Sequence, residues 1–263
     1  MQKKTHDKNI VLILSYHSVS HTLFNSALHV DPVFSVTVEQ LRSQFQIIRD
    51  MNIPVISLDA HESNESYSPL KIVLTFDDGH PSDYRFVFPM LQEFGFTAAF
   101  FICLRNIDSA NRWKEYREIS DGGNTIGSHG ITHKYLTHLK AVDVKYEIEE
   151  SSRIIRQKTH AACQYFAFPG GRYNNALLKL AKDACCKKVM TTDFGFNKIN
   201  SGHFALKRWQ IRRNTKSQEF REILEMNPFR IFIKQSRKYF VNAGKTFLGD
   251  NNFDHIRNII LRD

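Results

Sequence analysis

The stretch LTFDDGHPSDY, Leu74 to Tyr84, runs apolar and β-prone into two adjacent carboxylates and a glycine. Alternate strand residues point to opposite faces, so Asp77 and Asp78 cannot both reach one site from a regular strand. The backbone has to leave strand geometry near Asp78, which Gly79 permits. Two like charges side by side also repel, so a positive group is expected beside them.

Further short β-branched or aromatic runs read as strands: Ile10–Ser15, Val55–Leu58, Ile72–Phe76, Ala98–Ile102, Thr125–Ser128, Tyr165–Phe168 and Val189–Thr192. Helical patterns lie between them. Thr37 and Gln40 resemble a capping box that opens a helix with Leu41, Phe45 and Ile48 on one face. Tyr84–Phe94, Ala141–Lys158 and Asn175–Ala184 are the other helical candidates. Alternating strands and helices predict an α/β fold on a parallel sheet, open or closed into a barrel. In such folds the active groups lie at the carboxyl ends of strands. Tyr16-His17, Asp77-Asp78, SHGITH (Ser128–His133) and FPGGRYN (Phe168–Asn174) all follow candidate strands, so four polar groups should face one mouth.

The chain has 263 residues, 12 His and 21 Phe, and a formal charge of +9. That length suffices for one barrel-sized domain. No run approaches the ~20 apolar residues that span a bilayer. The start, MQKKTHDKNIVLILSYHSV, is basic and then apolar, but Ile10–Leu14 falls short of the ~7 apolar residues of a secretion signal. It reads as the first strand. The four cysteines form no CxxC, and reduced thiols in a cytoplasmic protein are expected.

From Phe204 onward 13 Lys and Arg stand against 6 Asp and Glu. Within this basic tail, 227–240 places Phe229, Phe232, Ile233 and Phe240 on one helical side, with Arg230, Lys234, Arg237 and Lys238 largely elsewhere. Such a helix suits either docking on the barrel or peripheral contact with an anionic membrane, here its inner face. Nucleic acid is not expected as a partner, because no stacked-aromatic or helix-turn-helix signal is present. The boundaries read as a catalytic-type barrel over 1–214 and a basic helical extension over 215–263, packed on the same domain.

His129 and His133, four apart, can face one point on a helical turn. With Asp78 they form a two-His, one-carboxylate set suited to zinc, with positions left open for water and substrate. This explains the doubled aspartate: Asp78 binds the cation, and Asp77 stays free to accept a proton. Zinc lowers the pKa of bound water toward ~7, which supplies hydroxide near neutrality.

TFDDG (Thr75–Gly79), SHGITH and FPGGRYN resemble, in order and spacing, the signatures of the polysaccharide deacetylases, also called the NodB-homology or carbohydrate esterase 4 family. YHSV near the start and GFTAAFFI after the first motif agree, and the likeness runs from Ile10 to Arg212. The resemblance implies a distorted (β/α) barrel that removes acetyl groups from acetylated amino sugars of a polysaccharide or lipid-linked glycan, with a divalent metal, usually zinc. It implies Asp77 as general base and Asp78, His129 and His133 as metal ligands. It also implies that FPGGRYN (Pro169, Gly170, Gly171, Arg172) forms the groove, with an N–H such as that of Gly170 on the oxyanion, while His17 and His80 line the mouth. Three departures stand out. Gly130 replaces a loop-bracing Ser or Thr, and Ala167 stands where an arginine is expected, with Arg172 nearby either replacing it or not. LKRWQI (Leu206–Ile211) lacks the histidine expected as general acid. His17, His80, metal-bound water or protonated Asp77 are left as donors. Alternatives of other classes are a deformylase or nucleotide-sugar amide hydrolase, and a weakened barrel that only binds glycan.

Overall fold

The computed structural model describes residues 10–21, 31–62, 68–198, 201–233 and 236. The chain forms two compact units, Met1–Ser217 and Gln218–Asp263. The first opens with β1 (Ile10–Tyr16), β2 (Val19–Ser20), β3 (Val36–Thr37) and α1 (Val38–Asp50). It continues through β4 (Leu70–Phe76), α2 (Phe88–Phe94), β5 (Ala98–Ile102), α3 (Ala110–Asp121) and β6 (Thr125–Ser128). There follow α4 (Ala141–Thr159), β7 (Tyr165–Ala167), α5 (Asn175–Asp183), β8 (Lys188–Met190), β9 (Asn197–Lys198), β10 (Ala205–Leu206) and β11 (Trp209–Gln210). A sixth helix, α6 (Ser217–Leu224), comes last of the named elements.

The main sheet runs β10-β8-β7-β6-β5-β4-β1-β11, with every neighbour pair parallel, and β9 pairs antiparallel with β1. The two ends of this run, β10 and β11, are separated only by Lys207 and Arg208. From Leu206 to Trp209 is three Cα steps, about 11 Å at most, so the sheet has to curl until its edges nearly meet. One kinked strand therefore pairs first with β8 and then with β1, and the expected distorted barrel is what forms. Where the ladder lapses, the Asn197 side-chain amide donates to Lys207 O (2.8 Å) and accepts from Lys207 N (2.9 Å).

Alternation sorts the side chains into two layers. Val11, Ile13, Val73, Ala99, Phe101, Tyr165, Ala167, Met190 and Leu206 pack together inside the barrel. Phe166, Phe168 and Val189 face outward, where Val144 and Ile148 of α4 and Leu177 and Ala181 of α5 cover them. A parallel sheet buried on both faces has to be apolar at nearly every position, and β4 is buried throughout.

Three expectations need correction. Val55–Leu58 is not a strand: Val55 makes an isolated bridge to Ile72, and Pro54 O and Ile56 N take the two bonds available before the chain turns away. The 84–94 pattern is a π-helical turn, Asp83–Val87, followed by α2. The capping box is half formed: Thr37 Oγ1 accepts from Gln40 N (3.0 Å), but the Gln40 amide donates to Arg212 O and Thr215 O instead of turning back. Leu41, Phe45 and Ile48 are buried as read. All four cysteines are free, and burial pushes the Cys103 thiol up to about 12.

In the second unit, 228–233 is helical, with Phe229, Phe232 and Ile233 exposed. Lys234, Arg237, Lys238 and Phe240 lie outside the described residues. No helix among the described residues is long and apolar enough to cross a membrane.

Candidate active site

The register aligns Tyr16 with Phe76, Phe76 with Phe100, and Ile102 with Ser128. His17 and Asp77 therefore emerge level with each other, and Cys103 and His129 level with each other two residues farther along β5, all at the carboxyl end of the sheet. Asp77 N still donates to Tyr16 O (3.0 Å), so the β1–β4 ladder persists through Asp77. Parity with Val73 and Thr75 turns the Asp77 side chain into the barrel. The strand breaks one residue later, with φ of 79° at Asp78 and 72° at Gly79. Asp tolerates this left-handed region better than most residues. The two carboxylates are thereby sent to different places.

Asp77 goes to Arg208. The guanidinium donates through Nη1 to Oδ1 (2.7 Å) and through Nη2 to Oδ2 (2.8 Å), and both side chains are buried. Arg208 Nε donates to Thr191 O (2.9 Å), and Nη1 also reaches Thr75 Oγ1 (3.3 Å). Burial works to raise the Asp77 carboxyl, but the Arg208 charge, the His129 charge and the hydrogen bonds from Arg208 together outweigh it and hold the group below its ordinary value. Arg208 is the positive group expected beside the aspartates, although the sequence reading named no residue for it. A signal was present: Arg208 shares parity with inward-facing Leu206, and an inward charge needs a counter-charge.

Asp78 goes to two imidazoles. Its Oδ1 lies 3.4 Å from His129 Nε2 and 3.0 Å from His133 Nε2. One ligand atom of each of the three residues lies within 4.8 Å of the others. His129 Nδ1 sits 2.7 Å from Ala167 O, an acceptor only, so Nδ1 carries the proton and Nε2 of the neutral ring offers a lone pair. Asp78 Oδ1 is buried without a hydrogen-bond donor. An orphaned carboxylate oxygen facing imidazole lone pairs fits a divalent cation, and the nitrogen and oxygen donors suit zinc. The histidines do not share a helical turn, as their spacing alone had suggested. They lie on an irregular loop closed by left-handed residues at Gly130 (φ 82°) and His133 (φ 60°). Behind Asp78, Asn106 Nδ2 donates to Asp78 O (2.8 Å), and Arg112 Nη2 donates to Gly79 O (3.1 Å).

His17 is half-buried, stacks on Phe34 at 4.8 Å, and leaves Nδ1 without a partner. Burial lowers its pKa more than Asp78 and Asp77 raise it, so the ring rests neutral. His80 is committed elsewhere. Its Nδ1 accepts from Ser82 N (3.0 Å) and contacts Ser82 Oγ (2.8 Å), while burial and Arg112 push its pKa down to about 4. In the third motif, Gly171 N donates to Phe168 O (2.7 Å), and a Cβ on Gly171 would meet Thr192 Oγ1 at 2.1 Å. Pro169 is buried, Gly170 takes φ 62°, and Arg172 lies over the Tyr135 ring at 4.2 Å, so the arginine on Asp77 is Arg208. Tyr173 donates to Asp193 Oδ2 (2.5 Å), which ties this motif to the loop after β8.

The model of the polysaccharide deacetylase family matches residues 65–189, the segment that carries Asp77, Asp78, both histidines and the third motif. That segment, just under half of the chain, is of the polysaccharide deacetylase family. It is 27% identical to YxkH of Bacillus subtilis over 156 residues, 59% of this chain and 56% of that protein. It is 32% identical to the poly-beta-1,6-N-acetyl-D-glucosamine N-deacetylase of Escherichia coli over 94 residues, 34% of this chain and 13% of that enzyme. The chain thus spans little more than half of the first relative and a small part of the second. Among solved structures, the deacetylase PplD of Streptococcus pyogenes shares the fold at TM-score 0.71 and 21% identity, over 82% of this chain and 98% of that one.

Proposed function

We propose that this chain hydrolyses the acetamido group of an amino sugar in a polysaccharide or lipid-linked glycan. One observation carries the reading: buried Asp78 Oδ1, with no donor of its own, faces two imidazole nitrogens beside a separately neutralised Asp77. Asp78, His129 and His133 would hold the divalent cation. Bound there, zinc supplies a Lewis acid that makes hydroxide available near neutral pH. Asp77 accepts a proton from the attacking water, and Arg208 fixes both of its oxygens in place. The Gly170 N–H is the candidate donor to the carbonyl oxygen as charge develops there. His17 takes over the proton that Asp77 has accepted and delivers it to the departing amine, which leaves both groups in their starting states. Its ring follows β1 beside Asp77 and rests neutral, so it can take up a proton, whereas His80 is fixed to Ser82. Arg208 and His17 answer two of the departures that had favoured a weakened, glycan-binding barrel.

The test is acetate release from N-acetylglucosamine oligomers by the zinc-loaded protein, with N-formylated sugars in parallel. Acetate with matching free amine is expected. Formate alone would move the reading to a deformylase, and neither product would reject hydrolysis. Peripheral membrane contact through 227–240, and with it a cytoplasmic location at the inner face, is supported by the exposed Phe229, Phe232 and Ile233. Neutralising Arg230, Lys234 and Lys238 should abolish sedimentation with anionic liposomes, and undiminished binding would reject that contact.

A further inference from the structure

The loop that carries both histidines is held almost entirely through its backbone. His129 N donates to Ile102 O (2.8 Å), and Gly130 N donates to Ser128 Oγ (3.1 Å). The carbonyls of Gly130 and Ile131 accept from Leu104 N (3.0 Å) and Arg105 N (2.9 Å), and that of Thr132 accepts from Arg105 Nη1 (3.3 Å). Three further loop donors converge on one side chain of the helix packed outside. Glu147 of α4, only 4% exposed, accepts from Ile131 N (2.6 Å) and Thr132 N (3.1 Å) on Oε2, and from Thr132 Oγ1 (2.5 Å) on Oε1. Without it, two backbone N–H groups and a hydroxyl would lose their partner at the turn that brings His133 back toward His129.

Gly130 completes the argument. Its φ of 82° is a conformation that residues with a side chain rarely adopt, and a Cβ there would lie 2.9 Å from Glu147 Oε2. The space that a Ser or Thr at 130 would occupy is therefore filled by the carboxylate of Glu147. We propose that Glu147 is a positioning residue for the cation site. It sets the 129–133 turn from outside the loop, and glycine at 130 is the condition for its entry. This rests on the reading that Asp78, His129 and His133 hold a divalent cation.

The readout is zinc affinity of the metal-stripped full chain, measured by competition with a chromophoric chelator, with the urea midpoint of the same metal-free samples beside it. Wild type should bind one equivalent of zinc. Glu147→Ala should bind it 10–100-fold more weakly, the usual loss when a group that orients a metal ligand is removed. Glu147→Gln keeps an acceptor for both N–H groups and should restore most of the affinity. Should Glu147→Ala not fold, Thr132→Val removes the hydroxyl leg alone and should weaken zinc about two- to tenfold, the worth of one hydrogen bond. Unchanged zinc affinity in Glu147→Ala, or in Thr132→Val where the first variant fails, would overturn the proposal while leaving the cation site standing. A wild-type chain that takes up no zinc would overturn both.

Discussion

Asp77 and Asp78 are adjacent, chemically identical and buried at the same barrel mouth, yet their charges are met in opposite ways. Asp77 has a permanent counter-charge supplied by the chain itself, a guanidinium bonded to both of its oxygens. Asp78 faces two imidazoles that need a proton or a cation before they offer it any charge. The first arrangement is complete within the fold and the second is not. The complete pair holds the assigned base in place, and the incomplete set marks where something from solution binds.

The largest expected effect comes from breaking the complete pair. Arg208→Met leaves Asp77 buried without its counter-charge and should destabilise the chain by ~3–5 kcal/mol, the usual result of removing one partner of a buried ion pair. Urea unfolding of the metal-free protein reads this. Arg208→Lys keeps the charge but not the two-pronged geometry and should recover only part of the loss. A Met variant as stable as wild type would mean that Asp77 does not depend on Arg208 for its counter-charge.

A somewhat smaller effect separates the two aspartates by function. Asp77→Asn should keep bound zinc near the wild-type level while turnover falls by ~10²-fold or more, the range for losing a general base. Asp78→Ala should instead empty the site of metal. Zinc content by mass spectrometry alongside acetate release distinguishes them. Full turnover in Asp77→Asn would remove the assigned base, and full zinc in Asp78→Ala would remove the assigned ligand.

The strand ends and their polar cargo were legible in the sequence, because a parallel sheet covered on both faces writes each strand as an apolar run that stops where function begins. The order of the motifs then brought Asp77, Asp78, His129 and His133 together. Other features were hidden for physical reasons. Helix α3 shows no apolar stripe, since its inward face includes Arg112, which donates to the Tyr116 hydroxyl, and Tyr116, which donates to buried Asp83. The closing strands β10 and β11 have two residues each, too few for a period to show. Arg208 lay inside a motif read for the histidine it lacks. The left-handed turn at Asp78 was announced by Gly79, which shares it, whereas the one at His133 is adopted by a residue that gives no such signal.

The smallest expected effect sharpens the contrast by pH. In the metal-free chain a proton can stand in for the cation: burial lowers the His129 pKa, but the bond to Asp78 and the charges of Asp77 and Asp78 outweigh it, and the net value lies above 6.5. A group raised on folding contributes stability that is full below its unfolded value and is lost as pH rises through its folded value. Metal-stripped protein should therefore lose stability as pH climbs above 6.5, with imidazole nitrogen and carboxylate left facing each other. The Asp77–Arg208 pair should be silent over that range. Its carboxyl is depressed below 3.8, so its contribution is present above that value and is lost only as pH falls through the lower, folded one. Adding zinc should remove the decline above pH 6.5, because the metal competes with the proton for the same imidazole nitrogens. Melting temperatures of stripped and zinc-loaded protein from pH 6 to 9 read both halves. If the stripped chain stays flat while the loaded one falls, the cation and the proton do not share a site, and the contrast between the two aspartates fails with it.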